Sequence, residues 1–279
     1  MTAFSTGSVE SADGARIGFR RVGSGRPLVL VHGGMLASQH FVALAGELAA
    51  DFEVVVPDRR GRGMSGPYGE AGTRIVDREA ADIRAVIAEV GARDLFGLSS
   101  GAVVSLGAVL GTTSVRRLAL YEPVLSVDGS IPLGWTERYE REIAAGKTSS
   151  ALITAMRGTR IDRIMSRIPH AAALPMDWML QRKRPAPGEV VIRDLVPTFH
   201  YDIAIIEETA DRVSDYASVQ SDVLLVGGER SPAFLAHSLD ALEGTLPNCR
   251  RLTLPGVGHN AAVDQPDRVA AVLREFFKR

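Results

Sequence analysis

Residues 94–104 read DLFGLSSGAVV, and this stretch decides the fold. It begins with a short apolar run typical of a buried strand and ends with small and apolar residues that can start a helix. Between the two lies the pattern Gly-x-Ser-x-Gly, centred on Ser99. We expect a tight strand-to-helix turn that lifts the Ser99 hydroxyl above a sheet edge. Gly97 and Gly101 are required in such a turn because a side chain there would collide with the packed strand and helix.

The residue after this serine supports the same interpretation. Ser100 would lie in the first turn of the helix, so its backbone N–H would point toward the space above Ser99. A helix N-terminus favours a developing negative charge at that point. The pattern also arises by chance in a chain with 28 glycines, so its context has to support it.

The surrounding chain alternates strand-like and helical patterns, which predicts a mostly parallel sheet with helices on both faces. Further strands are predicted over residues 15–22, 27–31, 52–56, 116–121, 222–227 and 250–254. Ligands of such sheets bind outside the carboxyl ends of the strands. Four residues follow predicted strand ends, namely Gly34, Ser99, Glu122 and His259. We therefore expect them to converge on a single site.

Residues 125–217 break this alternation. Strand-like runs largely vanish, and helical patterns are separated by proline and glycine. We predict a helical domain over 125–217, inserted into an α/β core formed by 1–124 and 218–279. Its large apolar side chains are expected to pack its own core, with a subset lining an apolar pocket over Ser99. These side chains are Trp135, Tyr139, Met156, Met165, Met176, Trp178 and Met179.

Composition narrows the function classes. The chain has 279 residues and is 46% hydrophobic, enough for a sizeable core. Its net charge of −1 offers no electrostatic basis for binding nucleic acid or an anionic membrane surface. One cysteine, Cys249, excludes an internal disulfide and fits a reducing compartment. No apolar run is long enough to span a membrane, and the first residues do not resemble a signal peptide.

From these features we expect a cytoplasmic protein whose partner is a small-molecule substrate, with no nucleic acid and no membrane. A homodimer stays open. His170 and His200 lack the spacing of metal ligands, so we expect no metal site. We also expect no cofactor.

Four pieces of this sequence, taken together and in this order, resemble the α/β-hydrolase superfamily. They are HGG at 32–34, DRRGRG at 58–63, GLSSG at 97–101 and GVGH at 256–259. The resemblance covers nearly the whole chain. It implies the α/β-hydrolase fold, a mostly parallel eight-stranded sheet flanked by helices, with a helical cap inserted after strand six. The segment 125–217 looks like that cap.

The resemblance also implies roles for particular residues. Ser99 would be the nucleophile, His259 its general base, and the backbone N–H groups of Gly34 and Ser100 the oxyanion hole. A serine hydroxyl becomes a good nucleophile when an imidazole takes its proton. The imidazole in turn needs a carboxylate that fixes its tautomer. Because the central residue is serine, the family's dehalogenases and epoxide hydrolases, which use a carboxylate nucleophile, are disfavoured.

The carboxylate is where this chain departs from the family pattern. In many members the acid follows the seventh strand as Gly-x-x-Asp, but here that loop reads GERS and places Ser231 at the acid position. Two other carboxylates respect the order serine, acid, histidine. Glu122 follows the sixth strand, where some members, including lactone-hydrolysing ones, carry the acid. We prefer Glu122, keep Glu229 as the alternative acid, and leave open another acid such as Asp128, or none.

Two further motifs have structural interpretations. We interpret His32 as a turn residue that supports the loop rather than as a catalyst. The run 58–63 is predicted to be a salt-bridged loop beside the site, with an anion pocket as the alternative interpretation.

The sequence thus favours a serine hydrolase that cleaves a carboxylic ester or lactone of small to medium, partly apolar character through an acyl-enzyme. Because one fold supports several chemistries, a carbon–carbon bond hydrolase and an enzyme that processes or cyclises natural products stay as alternatives. A third hypothesis is a ligand-binding member with little turnover, motivated by Ser231 at the usual acid position.

Overall fold

The computed structural model describes residues 3–69, 74–162, 164–182, 185 and 189–278. In this part of the chain, eight strands form one sheet. The strands are β1 (Ser5–Glu10), β2 (Arg16–Val22), β3 (Arg26–Val31), β4 (Phe52–Pro57), β5 (Asp94–Leu98), β6 (Arg117–Tyr121), β7 (Asp222–Gly228) and β8 (Cys249–Leu254). Their order across the sheet is β1-β2-β4-β3-β5-β6-β7-β8. The two pairs that involve β2 are antiparallel and the remaining pairs are parallel, so the sheet is mostly parallel, as predicted.

Helices cover both faces of this sheet. Those that belong to the alternating part of the chain are α1 (Val42–Leu48), α2 (Ile75–Val90), α3 (Ser100–Val109), α9 (Ala233–Glu243), α10 (Ala261–Asp264) and α11 (Pro266–Lys278), with a 3₁₀ turn over Ser38–Phe41. Across the described residues, none of the helices is both long and apolar enough to cross a membrane.

The two sides of β3 show how the core is divided. Leu28 and Leu30 face a cluster that includes Leu44 and Leu273, from α1 and α11. Val29 and Val31 face the opposite cluster, which the side chains of α2, α3 and α9 complete. Successive side chains of a strand point to opposite faces, so an unbroken apolar run is what a strand covered on both sides requires.

The segment 125–217 contains helices between β6 and β7. They are α4 (Thr136–Ala144), α5 (Thr148–Thr159), α6 (Ala173–Arg182), α7 (Ile192–Leu195) and α8 (Phe199–Glu208), with 3₁₀ turns at Met165–Arg167, His170–Ala172, Val196–Thr198 and Val213–Ser218. Tyr139, Leu152 and Phe199 belong to a separate apolar cluster within this segment. Its assignment as a distinct cap domain, with boundaries at 124/125 and 217/218, stays a prediction.

Sequence reasoning overlooked β1. Its residues, STGSVE, carry only one large apolar side chain, and all of them are exposed or half-buried. An edge strand in that position needs no apolar face, so its sequence lacks the periodic signal that marks the other strands. The six further strands predicted from the sequence begin and end within one residue of the observed bounds.

The turn between β5 and α3 leaves no room for side chains beside Ser99. A Cβ atom at Gly97 would lie 2.6 Å from Ser105 Oγ, and one at Gly101 would lie 2.3 Å from the His32 carbonyl oxygen. The turn places Ser99 at φ 59° and ψ −124°, a strained conformation for a residue with a side chain. The predicted need for glycine at both positions is confirmed.

Replacing Gly101 by alanine should therefore destabilise the protein. Its methyl group would collide with a backbone oxygen, and overpacking of this kind costs about 1–3 kcal/mol or more. Gly46→Ala is the matched control, because this exposed position in α1 has open space around a Cβ atom. There alanine should stabilise the helix by about 0.5–1 kcal/mol. Urea unfolding measures both free energies, and equal effects of the two substitutions would contradict the close packing described here.

Candidate active site

Half of the six non-glycine residues with positive φ in the described chain lie at the carboxyl edge of the sheet. Met35, Ser99 and Glu122, which follow β3, β5 and β6, all adopt positive φ angles of 51°, 59° and 47°. The Ser99 N–H donates to the Tyr121 carbonyl oxygen at 2.9 Å, which ties the turn to the neighbouring strand. Residues with side chains adopt positive φ uncommonly, and at buried positions the surrounding structure holds them there.

A buried carboxylate reaches the loop histidine at this edge. Glu122 Oε2 lies 2.7 Å from His259 Nδ1, and Glu122 Oε1 accepts the backbone N–H of Gly228 at 2.6 Å. Glu122 is 1% exposed and His259 is 5% exposed. The Tyr121 hydroxyl donates to the Gly258 carbonyl oxygen at 2.8 Å and holds the histidine loop against β6. Both oxygens of Glu122 are thus engaged, one of them by the imidazole.

The other candidate acids lie elsewhere. Glu229 is exposed, and its Oε2 accepts the Gly256 N–H at 2.7 Å, so it stabilises the start of the histidine loop without reaching the imidazole. Asp128 is exposed in a different loop, where its N–H donates to Asp211. The Ser231 Oγ is buried and has no hydrogen-bond partner in the described structure. The geometry brings Glu122, and neither Glu229 nor Asp128, to His259.

Ser99 and His259 line one cavity of about 260 Å³, together with Gly34. Most of its wall is apolar, and much of that wall comes from the segment 125–217. The apolar side chains are Met35, Leu36, Leu98, Leu152, Met156, Ile161, Met165, Ile192 and Phe199. Of the large apolar residues singled out in the sequence, Met156 and Met165 line this cavity, whereas Trp178 and Met179 are exposed.

The neighbourhood of Gly34 and Ser100 explains their residue types. A Cβ atom at Gly34 would lie 2.8 Å from the Phe199 ring and 3.0 Å from Asp202 Oδ2. Ser100 is the first residue of α3. Its hydroxyl donates to Asp202 Oδ1 at 2.6 Å and accepts from Arg59 Nη1 at 2.9 Å. The Ser100 hydroxyl is therefore held by two other side chains. Its backbone N–H lies in the first turn of α3, where helix N–H groups have no partner within the helix.

A buried charge network surrounds this serine. Arg59 pairs with Glu79 of α2 through two hydrogen bonds, and its Nη1 lies 2.8 Å from Asp202 Oδ1. Arg62 Nη2 lies 2.7 Å from Asp202 Oδ2. Burial alone would raise the pKa of Asp202, but the charges of Arg62 and Arg59 hold it below its ordinary value. The predicted salt-bridged loop at 58–63 is confirmed by these pairs.

Comparison with known proteins agrees with this architecture. Residues 28–272 match the model of the alpha/beta hydrolase family. The chain belongs to this family. A crystal structure of an alpha/beta hydrolase from Sphaerobacter thermophilus is 34% identical, with a TM-score of 0.78 over 97% of this chain and 100% of that one.

Two curated relatives of this alpha/beta hydrolase span most of both chains. The 3-hydroxybutyrate-oligomer hydrolase of Cupriavidus necator is 25% identical over 90% of this chain and 88% of its own length. The pimeloyl-[acyl-carrier protein] methyl ester esterase of Xanthomonas campestris pv. campestris is 27% identical over 91% of this chain and 96% of its own length. Hydrolases, including an esterase, are thus among its homologues.

Asp202 is the residue of this hydrolase site that sequence reasoning missed. It lies in α8 between Phe199 and Ile206, at the i+3 and i+4 spacing that places all three on one helix face. That face is buried, and Asp202 is 1% exposed. A carboxylate on an otherwise apolar face was the available signal. Its partners could not be read from the sequence, because Arg59 lies 143 residues away.

His32 has the structural role expected of it in this hydrolase. The Arg59 backbone N–H donates to its Nε2 at 3.2 Å, so Nδ1 carries the proton and donates to the Gly33 carbonyl oxygen at 3.0 Å. This arrangement requires a neutral ring. Burial, together with the charges of Arg62 and Arg59, holds the pKa of His32 well below 6.5.

Removing Asp202 should destabilise the hydrolase strongly. Asp202→Ala leaves Arg59 and Arg62 buried with one partner fewer, and breaking a buried ion pair costs about 3–5 kcal/mol. Asp194→Ala is the matched control, because Asp194 pairs with Arg193 at the surface of the same segment. That substitution should change stability by less than about 0.5 kcal/mol. Denaturant unfolding measures both values, and a loss below 1 kcal/mol at Asp202 would show that the network adds little.

His32 should make stability depend on pH. The unfolded chain binds a proton at this histidine below pH 6.5, whereas the folded protein does not until its lower pKa is reached. Stability from this group is therefore complete above pH 6.5 and falls as the pH drops below that value, by about 1.4 kcal/mol per pH unit. Urea titrations at several pH values give the dependence of the unfolding free energy on pH. Below pH 6.5, the slope of this dependence should be smaller in His32→Gln by the equivalent of about one bound proton. An unchanged slope would contradict the neutral ring.

Proposed function

We propose that this alpha/beta hydrolase cleaves a carboxylic ester or lactone of small to medium, partly apolar character. The observation that carries the proposal is the 2.7 Å contact between Glu122 Oε2 and His259 Nδ1, with Ser99 in the same cavity as the imidazole. A carboxylate at Nδ1 keeps the proton on that nitrogen and leaves Nε2 free to accept one. Nucleophile, base and orienting acid are then supplied by the ends of β5, β8 and β6.

In the proposed mechanism, Ser99 attacks the acyl carbon while His259 takes its proton. The negative charge on the carbonyl oxygen is stabilised by the backbone N–H groups of Gly34 and Ser100. His259 then gives the proton to the leaving oxygen, and the acyl group stays on Ser99. Water, activated by the same imidazole, releases the acid. This reaction uses side chains and water and requires no cofactor.

Other features support the substrate class and setting. The cavity wall is mostly apolar, as is typical of small-molecule sites with few polar groups. In the proposed arrangement the segment 125–217 is a cap that covers the substrate, a small molecule. The relatives named as an esterase and an oligomer hydrolase support hydrolysis. A cytoplasmic location is proposed on the single cysteine, which fits a reducing compartment.

Steady-state hydrolysis of a short-chain p-nitrophenyl ester tests this proposal. Ser99→Ala should lower kcat by about 10⁴-fold or more, because the nucleophile is lost. Glu122→Gln should lower it by about 10²–10⁴-fold, since an amide does not stabilise the imidazolium. Glu229→Gln is the matched control, because the same change is made to a carboxylate that contacts only the loop backbone. Its kcat should stay within about threefold of the wild type.

Each of the other outcomes would change the assignment. A large loss in Glu229→Gln without one in Glu122→Gln would make Glu229 the acid. If Ser99 reacts covalently with a fluorophosphonate but no ester or lactone is cleaved, the proposed substrate class is wrong. That result would support the alternative of a carbon–carbon bond hydrolase. If the protein binds a ligand but neither cleaves it nor reacts with the fluorophosphonate, the hypothesis of a ligand-binding member with little turnover is favoured.

A further inference from the structure

Two cavities meet at Ser99. The larger one, of about 260 Å³, is the cavity already described and is here called the large lobe. A smaller cavity of about 40 Å³, the small lobe, borders Ser99 and Ser100 on the other side. Thr159, Ile161 and Phe199 line both, so these three side chains form the partition between the lobes. Any substrate held at Ser99 therefore has two spaces for its two halves.

The position of His259 distinguishes the lobes. His259 lines the large lobe and is absent from the lining of the small one. In the proposed reaction, the bond from Ser99 Oγ to the acyl carbon forms and the bond from that carbon to the alcohol oxygen breaks. The proton that leaves Ser99 passes through His259 to the alcohol oxygen. The alcohol must therefore lie on the His259 side, and the acyl chain takes the remaining direction.

We propose that the small lobe accepts the acyl group and the large lobe the alcohol, so that the substrates are esters of short-chain acids with larger, apolar alcohols. This inference rests on the proposed function. A water-sized group needs about 10–15 Å³ of cavity, so the small lobe has room for roughly three such groups, which suits an acyl group of about two to four carbons. The large lobe has several times that space.

The walls of the two lobes also differ in how easily they can adapt to a larger group. The small lobe is bounded by the buried side chains of Val124, Ile131 and Ile206, and by Asp202, which two arginines hold in place. Because these side chains are buried and held in place, the small lobe cannot easily widen to accept a longer acyl chain. The large lobe carries Met156 and Met165, whose flexible side chains adapt to different shapes.

Charge restricts the substrate further. Within the described part of the chain, neither lobe is lined by lysine or arginine, and the charged side chains on their walls are Asp162 and Asp202. A free carboxylate on either half of the substrate would find no lysine or arginine to pair with among the described lining residues. The proposed substrates are therefore neutral in both halves.

Two ester series test this partition. In the first, p-nitrophenyl esters keep one alcohol while the acyl chain grows from acetate to octanoate. We expect kcat/KM to fall by about tenfold or more beyond butyrate, the effect of overpacking by about 1.4 kcal/mol. In the second, acetates of methyl, butyl, hexyl and naphthyl alcohols keep one acyl group. Here kcat/KM should rise with the size of the alcohol.

A matched pair of substitutions tests which lobe holds the acyl group of the substrate and which holds the alcohol. Leu133 lines the small lobe and Leu36 the large lobe, and both are half-buried. Leu133→Ala should raise kcat/KM for the hexanoate relative to the acetate by about fivefold, because it widens the small lobe. Leu36→Ala should leave that ratio unchanged. It should lower kcat/KM for acetates of large alcohols relative to methyl acetate, because the large lobe already has room for them and loses an apolar contact.

The deacylation rate separates the lobes independently of binding. Once the alcohol has left, the acyl group alone remains on Ser99, so residues that contact it change the hydrolysis of the acyl-enzyme. Pre-steady-state release of p-nitrophenol should show a changed deacylation rate of the hexanoyl-enzyme in Leu133→Ala and an unchanged one in Leu36→Ala.

The results also separate this inference from the proposed function. The partition would be overturned if hydrolysis depends on Ser99 but favours octanoate. It would also be overturned if Leu36→Ala, and not Leu133→Ala, alters deacylation. Either result would leave the proposed hydrolase function standing. If Ser99→Ala does not reduce hydrolysis of any ester in either series, both proposals are overturned.

Discussion

The position of Ser99 depends on a backbone contact with no room for one additional carbon atom. Helix α3 begins so close to β3 that a Cβ atom at Gly101 would lie 2.3 Å from the His32 carbonyl oxygen. This approach forces the turn into the positive φ of Ser99, a strain of about 1–3 kcal/mol. Because β5 is paired on both sides and wholly buried, the sheet over-determines the turn and the strain persists. The same contact puts the N-terminus of α3 beside the proposed oxyanion.

The charge network around Asp202 determines how the helical segment meets this turn. Isolated buried charges are strongly unfavourable, so Arg59, Arg62, Glu79 and Asp202 stabilise the fold only when all are in place. They come from the loop after β4, from α2 and from α8, and Asp202 also accepts the Ser100 hydroxyl. Helix α8 cannot move away from Ser100 without taking Asp202 from both arginines, which would leave Arg59 paired only with Glu79. The site wall on this side is therefore rigid, whereas methionines line the opposite side.

The parts of the molecule that depend on local pattern could be predicted from the sequence. Apolar runs marked most of the strands, and residues after strand ends marked Ser99, Glu122 and His259, because parallel strands bring their carboxyl ends together. β1 carries little apolar signal and was missed. Asp202 was missed for a different reason, since the pairing of a carboxylate with an arginine 143 residues away depends on tertiary structure. The two lobes likewise result from packing between distant segments.

The position of the proposed acid, Glu122, follows from the order of the strands. β6 lies directly beside β5, so Glu122 starts one strand away from Ser99, while the usual acid position follows β7, two strands away. The residues after β7 contact the proposed acid, since the Gly228 N–H donates to Glu122 Oε1 at 2.6 Å. A Cβ atom at Gly228 would lie 2.7 Å from the Val257 carbonyl oxygen, so glycine is needed for this close approach. Nearby, the Ser231 hydroxyl is buried and has no hydrogen-bond partner among the described residues. In the proposed site, the acid therefore comes from the end of β6, and the loop after β7 orients it.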